Sequence, residues 1–164
     1  MQKTNEAKKI NVLFLCTGNS CRSQMAEGWA RHLYDKFLCS FSAGVQPKTI
    51  DPLAIEVMKE VGIDISGQKA KHVKELEHIQ FYLVITLCDH AAETCPIFSK
   101  QTTIFHKGFE DPPKMARKAK TTEETLAVYR KVRDEIGGFI KQWEIPLKEN
   151  FPDFEIIKNA ITTI

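Results

Sequence analysis

A cysteine and an arginine separated by five residues open the chemistry of this chain: Cys16-Thr-Gly-Asn-Ser-Cys-Arg22, followed by Ser23. A tight loop that closes onto a helix N-terminus aims several backbone N–H groups at one point, which makes a nest for an oxyanion. The Arg22 guanidinium adds a two-pronged pair of donors to the same anion. The same positive surroundings lower the pKa of Cys16 and predict a nucleophilic thiolate at neutral pH. Thr17, Gly18, Asn19, Ser20, Cys21, Arg22 and Ser23 are the expected anion-binding residues. Gly18 permits the close turn, and Asn19 and Ser23 brace it.

The elements that must position this loop are legible on both sides of it. Residues Ile10–Cys16 form a nearly continuous apolar run, as in a buried parallel strand. After the loop, Met25, Ala26, Trp29, Ala30, Leu33, Tyr34 and Phe37 recur at helical spacing. A short strand is expected around Cys39–Ser42, ending at Ala43-Gly44. A second helix has Asp51 as N-cap, Pro52 at its first position and Gly62 past its end. A shorter helical stretch is expected from Val73 to Ile79. Phe81–Cys88 is a second buried strand and Thr102–Phe105 a weaker third. Thr121 with Glu124 resembles a capping box opening a long helix to Trp143. This alternation predicts a single-domain α/β fold, a parallel sheet with helices on both faces. In such folds ligands bind at the carboxyl ends of the strands, where Cys16 and Cys88 should both lie.

Composition bounds the rest. The chain has 164 residues, 43% hydrophobic and 27% charged, which suits one ordinary globular domain. A net charge of +2 gives no reason to expect nucleic acid or an anionic membrane as partner. Residues 1–9 read as a polar, flexible arm with no apolar core region, and no apolar run is long enough to span a membrane, so a cytoplasmic location is expected. The five cysteines, Cys16, Cys21, Cys39, Cys88 and Cys95, are an odd number, so a fully paired structural framework within the chain is excluded. Their spacings match zinc ribbons poorly, and no metal site is expected; His90 and His106 read as surface or supporting residues. Cys39, on an apolar strand, reads as inert core.

Cys16–Ser23 resembles the phosphate-binding loop of the low-molecular-weight protein tyrosine phosphatases. The longer string Cys16-Thr-Gly-Asn-Ser-Cys-Arg-Ser-Gln-Met-Ala-Glu-Gly-Trp29 is similar to the thioredoxin-coupled arsenate reductases built on that fold. Further landmarks are Ser42-Ala-Gly44, Cys88 to Pro96, Gly108 to Pro112 and Arg133-Asp-Glu-Ile136, so the resemblance runs from about residue 10 to 143. Residues 144–164 extend beyond it, with no assigned role. Pro146 and Pro152 are expected to stop the preceding helix. Phe151, Phe154, Ile156 and Ile157 are free to dock on the body or on a partner.

The resemblance implies roles. Asp111, before Pro112, matches the aspartate that both families use as general acid, and Cys88 and Cys95 match the additional cysteine pair of the reductases. It further implies a relay. Cys16 attacks arsenate, Cys88 attacks Cys16 with release of arsenite, and Cys95 carries the oxidation to a Cys88–Cys95 disulfide that thioredoxin reduces. No bound cofactor is implied, and the electrons come from thioredoxin. A phosphatase hydrolysing phosphate monoesters is the alternative, although Pro113 and Lys114 after Asp-Pro lack the aromatic platform usual for phenolic substrates. A redox-sensing module without turnover is a third reading. If residues 88–95 are helical, seven positions at ~1.5 Å separate the two Cα atoms by about 10 Å. A disulfide tolerates about 7 Å, so the segment must unwind on oxidation. Some of these reductases bind potassium beside the loop. Asn19, Glu27 and Ser42 match three of its ligands, but the fourth, an aspartate, is Lys71 here, so little potassium dependence is expected. Lys107 stands where tryptophan is common.

Overall fold

The computed structural model describes residues 8–164, so most of the expected N-terminal arm lies outside the described residues. Four strands form one parallel sheet: β1 (Ile10–Cys16), β2 (Leu38–Gly44), β3 (Leu83–Thr86) and β4 (Thr103–His106), in the order β2-β1-β3-β4. The β1 register sets Cys16 opposite Gly44 and Phe14 opposite both Ser42 and Ile85. β1 is buried on both sides. Val12 and Phe14 enter one apolar cluster, whereas Leu13 and Leu15 enter the other. Alternation of that kind is what a strand with helices on both faces requires.

The larger cluster gathers α1 (Arg22–Tyr34), α2 (Pro52–Glu60), α5 (Thr122–Lys141), α6 (Glu144–Asn150) and α7 (Phe154–Thr163). The smaller holds the short 3₁₀ turn at Val73–Leu76 together with α3 (Asp89–Glu93). α4 (Pro112–Ala116) opens directly after Asp111. The parallel α/β fold expected from the sequence is the fold observed, with β3 shorter than the Phe81–Cys88 run. Cys88 lies two residues past that strand, as N-cap of α3. No helix among the described residues is long and apolar enough to cross a membrane.

Local chemistry explains the boundaries. Asp51 caps α2 by accepting from the Leu53 N–H at 2.9 Å, with Pro52 beginning the helix. Only half of the expected capping box at α5 forms. Thr121 Oγ1 accepts from the Glu124 N–H at 3.1 Å, but the Glu124 carboxylate accepts from Lys120 N instead of turning back to Thr121. A complete box occurs at His72 and Glu75, where an imidazole nitrogen plays the capping oxygen.

Two expectations are corrected, and a third, open between body and partner, is decided. Pro146 does not end a helix. α5 has already stopped at Lys141, and Pro146 sits in the first turn of α6, where its missing N–H costs nothing. Cys39 is only half-buried, because β2 is an edge strand. The extension docks on the body: Leu147, Ile157 and Ile161 are buried in the larger cluster, and Phe151 packs edge-on against Phe37. Ile156 faces solvent.

Candidate active site

The loop between β1 and α1 is held from outside. The Cys16 carbonyl accepts from Val45 N at 3.2 Å, Thr17 from Gln46 N at 2.9 Å, Gly18 from Lys48 N at 2.8 Å and Ser20 from Asp51 N at 2.9 Å. The Asn19 carbonyl accepts from the Gln24 side chain at 2.9 Å, and Cys21 from Met25 N at 2.9 Å. Six consecutive carbonyls are therefore turned outward and satisfied. The N–H groups of Gly18–Cys21 donate to no protein oxygen among the described residues and are left for an anion. Residues 45–51 act as a strap, and Pro47, which has no N–H, falls where the strap needs no donor.

Backbone conformation at two positions makes this possible. Asn19 adopts φ 47°, a left-handed turn that its amide supports by donating to Ser23 Oγ at 2.8 Å. Gly44 lies against the loop so closely that an added Cβ would meet Thr17 O at 2.5 Å and Asn19 N at 2.9 Å. Behind the loop, Asn19 Oδ1 accepts from Lys71 N at 2.9 Å, and Lys71 Nζ donates to the Ser42 and Lys69 carbonyls at 2.9 and 3.0 Å. Ser42 Oγ bonds the Glu27 carboxylate, and Lys71 Nζ lies 4.0 Å from the same carboxylate. The Lys71 ammonium thus stands at Ser42 and Glu27, while its backbone N–H holds Asn19.

Two thiols meet at the loop. Cys16 Sγ donates to Cys88 Sγ at 3.6 Å, and the Thr17 hydroxyl lies 3.3 Å from Cys88 Sγ. Accepting from Cys16 brings the Cys88 pKa down to about 5 despite burial, with further help from Thr17, the Ala91 N–H and the charge of Arg22. Cys16 moves the other way, far above the ordinary thiol range, because it is the donor and because it is buried; Arg22 opposes this weakly. The hydrogen bond that Cys16 donates to Cys88 thus opposes the effect of the positive loop on the Cys16 thiol. In this arrangement the contact favours the negative charge on Cys88, at the N-terminal end of α3.

Arg22 Nη1 donates to the Phe109 carbonyl at 2.9 Å, and Nη2 lies 3.4 Å from Asp111 Oδ1. The acid loop and the anion loop are thus joined through one guanidinium. Cys21 is buried, its thiol raised first by burial and then by the charge of Asp51. Cys95 is half-buried just past α3 and packs on the smaller cluster. Arg22, Cys88 and Asp111 line one mouth, Cys16 touches Cys88 from below it, and Cys95 lies at the far end of a single helical turn.

Residues that sequence reasoning missed include the strap, the Phe109 carbonyl, and Tyr129, whose hydroxyl donates to the α2 cap Asp51 at 2.6 Å. Backbone donors and acceptors leave no mark in residue types, so only Gly44 and Pro47 hinted at the strap.

A family model described as low molecular weight phosphotyrosine protein phosphatase matches residues 11–152. The chain belongs to this phosphatase family. Among its relatives, an arsenate reductase of Halalkalibacterium halodurans is 46% identical over 134 residues, 82% of this chain and 94% of that protein. A solved structure described as an arsenate reductase in the phosphate binding state superposes with a TM-score of 0.71 at 32% identity, covering 85% of this chain and 99% of that one. A low-molecular-weight protein tyrosine phosphatase from T. tengcongensis superposes with a TM-score of 0.62 at 30% identity, covering 81% and 96%. This phosphatase-family chain thus shares its four-stranded architecture with reductases and phosphatases alike.

Proposed function

We propose that the protein reduces arsenate to arsenite through a relay of Cys16, Cys88 and Cys95, regenerated by thioredoxin. The observation that carries this reading is the 3.6 Å contact between Cys16 Sγ and Cys88 Sγ beside the anion loop. Hydrolysis of a phosphate ester needs one thiol. Removing an oxygen from arsenic(V) needs two electrons, and a second thiol touching the first supplies them as a disulfide forms.

In the first step arsenate lies among the loop N–H groups and Arg22. Cys16 passes its proton to an arsenate oxygen and attacks arsenic, which leaves Cys88 as the thiolate. Asp111 protonates the departing oxygen, which leaves as water. Next the Cys88 thiolate attacks Cys16 Sγ. The sulfur–arsenic bond breaks with its electron pair on arsenic, which departs as arsenite, and the Cys16–Cys88 disulfide remains. The lowered pKa of Cys88 suits it to this second attack. Cys95 then displaces Cys16 from Cys88. Thioredoxin, a transient protein partner, reduces the resulting bond by exchange. Such a relay belongs in a reducing compartment, the cytoplasm. Lys71 Nζ serves as the fixed cation behind the loop, in place of potassium.

Phosphate monoester hydrolysis is the second reading, favoured by the same loop and by a mouth of about 680 Å³ that admits an organic ester. The deciding assay couples arsenite formation to thioredoxin, its reductase and NADPH, alongside hydrolysis of an aryl phosphate. Arsenite produced catalytically supports the relay. Brisk ester hydrolysis without arsenite would replace it with the phosphatase.

A further inference from the structure

Tyr129 is a buried phenol on α5 that the proposed relay does not use. α5 packs against both α1 and α2, and the Tyr129 hydroxyl donates to Asp51 Oδ2 at 2.6 Å. Asp51 has three other bonds. Its Oδ1 accepts from Leu53 N at 2.9 Å, its carbonyl accepts from Ile55 N at 3.2 Å, and its N–H donates to the Ser20 carbonyl at 2.9 Å. One residue therefore joins α5, the start of α2 and the anion loop. No cation balances its charge. Asp51 is half-buried and forms no ion pair among the described residues, yet its carboxylate lies close enough to Cys21, inside the loop, to raise that thiol. The charge is held by two neutral donors alone, Leu53 N and the Tyr129 hydroxyl. Burial and the bond to Asp51 push the Tyr129 phenol far upward, so it stays protonated and remains a donor.

We infer that Tyr129 is a positioning residue of the anion loop, acting through Asp51. Its hydroxyl holds the carboxylate at the α2 cap and so fixes the last bond of the strap, from Asp51 N to the Ser20 carbonyl. Without that hydroxyl, Asp51 Oδ2 keeps a half-buried charge and has no donor, which is costly. The carboxylate then turns toward other donors and takes the strap with it, so the N–H groups from Gly18 to Cys21 converge less well on an anion. Tyr129 does not line the mouth, so its effect reaches the anion only through the loop. For arsenate turnover the inference rests on the proposed reductase activity; for phosphate binding it stands without it.

The test is Tyr129→Phe, which keeps the ring and removes the donor. The affinity of the reduced protein for inorganic phosphate is measured together with kcat and KM for arsenate and the melting temperature. Tyr34→Phe is the control, a buried phenol at the opposite end of α1 from the loop, whose hydroxyl bonds the Ile140 and Lys141 carbonyls. The expected result for Tyr129→Phe is phosphate binding weaker by about five- to tenfold and a matching rise in KM, with kcat changed by less than about twofold. Tyr34→Phe should lower the melting temperature and keep wild-type phosphate affinity. Adding Asp51→Asn to Tyr129→Phe should recover most of the loss, because asparagine caps a helix as well as aspartate and leaves no charge unpaired. Wild-type affinity in Tyr129→Phe would overturn the inference, as would a loss that Asp51→Asn does not relieve or an equal loss in Tyr34→Phe. A wild type that binds no phosphate would overturn it together with the anion loop. If wild type binds phosphate but makes no arsenite, the phosphate arm still decides the role of Tyr129, so the two readings fail separately.

Discussion

The anion loop and the segment that carries Cys88 and Cys95 touch each other and are built in opposite ways. Every carbonyl from Cys16 to Cys21 has a donor, Asn19 and Ser23 are fully buried, and the strap at 45–51 braces the loop from outside. Residues 88–98, by contrast, hold one five-residue helix whose N-cap Cys88 makes no side-chain capping bond. Asp89, His90 and Ala92–Thr94 are exposed, and Ile97 is wholly so. An apolar cavity of about 610 Å³ lies beside the segment, lined by Val73, Leu76, Ile79, Phe81, Pro96 and Phe98. Recognising a small anion needs fixed donors, so the loop is preorganised. The proposed passing of a disulfide from one cysteine to another needs chain movement, and that half of the site has few fixed contacts.

If this contrast is correct, damage to the loop and damage to the segment should read out differently. The largest expected effect is on the rigid side. Gly44→Ala places a methyl group against Thr17 O and Asn19 N, so the loop must shift by a substantial fraction of an ångström. Arsenate kcat/KM should fall by about 100-fold, with phosphate binding weakened in parallel. A folded Gly44→Ala protein with wild-type phosphate affinity would break the comparison at its first term.

The next effect is chemical. With Cys88 near 5 and Cys16 far above the ordinary thiol range, iodoacetamide should modify Cys88 before Cys16 at neutral pH. The sign follows from the thiolate. Above about pH 5 Cys88 is ionised and its reactivity is level, and below that it should fall about tenfold per unit. Peptide mapping that finds Cys16 alkylated first would reverse the assignment of the pair's charge.

On the mobile side the expected change is conformational. In reduced protein the Ala92 and Thr94 amides bond to the Cys88 and His90 carbonyls at 3.1 and 3.0 Å. In protein oxidised to Cys88–Cys95 these amides should exchange with solvent markedly faster, while those of β1 stay protected. Equal protection across 88–95 in both states would remove the need for unwinding.

The smallest effect concerns Lys71. Wild type should respond little to potassium. Lys71→Met should lose several-fold in kcat/KM and recover part of it when potassium is added, since Asn19, Glu27 and Ser42 remain in place. A several-fold rise in wild-type turnover with potassium would show that the ammonium does not fill that role.

Much of the rigid half could be read from residue types. Apolar runs marked β1 and β3, Asp51-Pro52 marked the start of α2, and Cys16 to Arg22 stated the anion loop outright. The strap could not be read, because its four donors to the loop are backbone N–H groups that almost any residue supplies. Charge at the thiols also escaped. The positive loop argued for a Cys16 thiolate, but a second sulfur 3.6 Å away competes for the charge, and that distance is a property of the fold. The extension was legible as apolar but not as docked. Leu147, Ile157 and Ile161 complete a core that Phe14 and Trp143 leave open, which only the stacking of β1 against the end of α5 reveals.

The most direct test of the relay is a count of arsenite per enzyme in Cys95→Ser, with thioredoxin, its reductase and NADPH present and wild type run alongside. Wild type should turn over continuously. The variant should stop at no more than one equivalent, with a Cys16–Cys88 disulfide trapped in the protein. Sustained turnover by Cys95→Ser under the same conditions would contradict it.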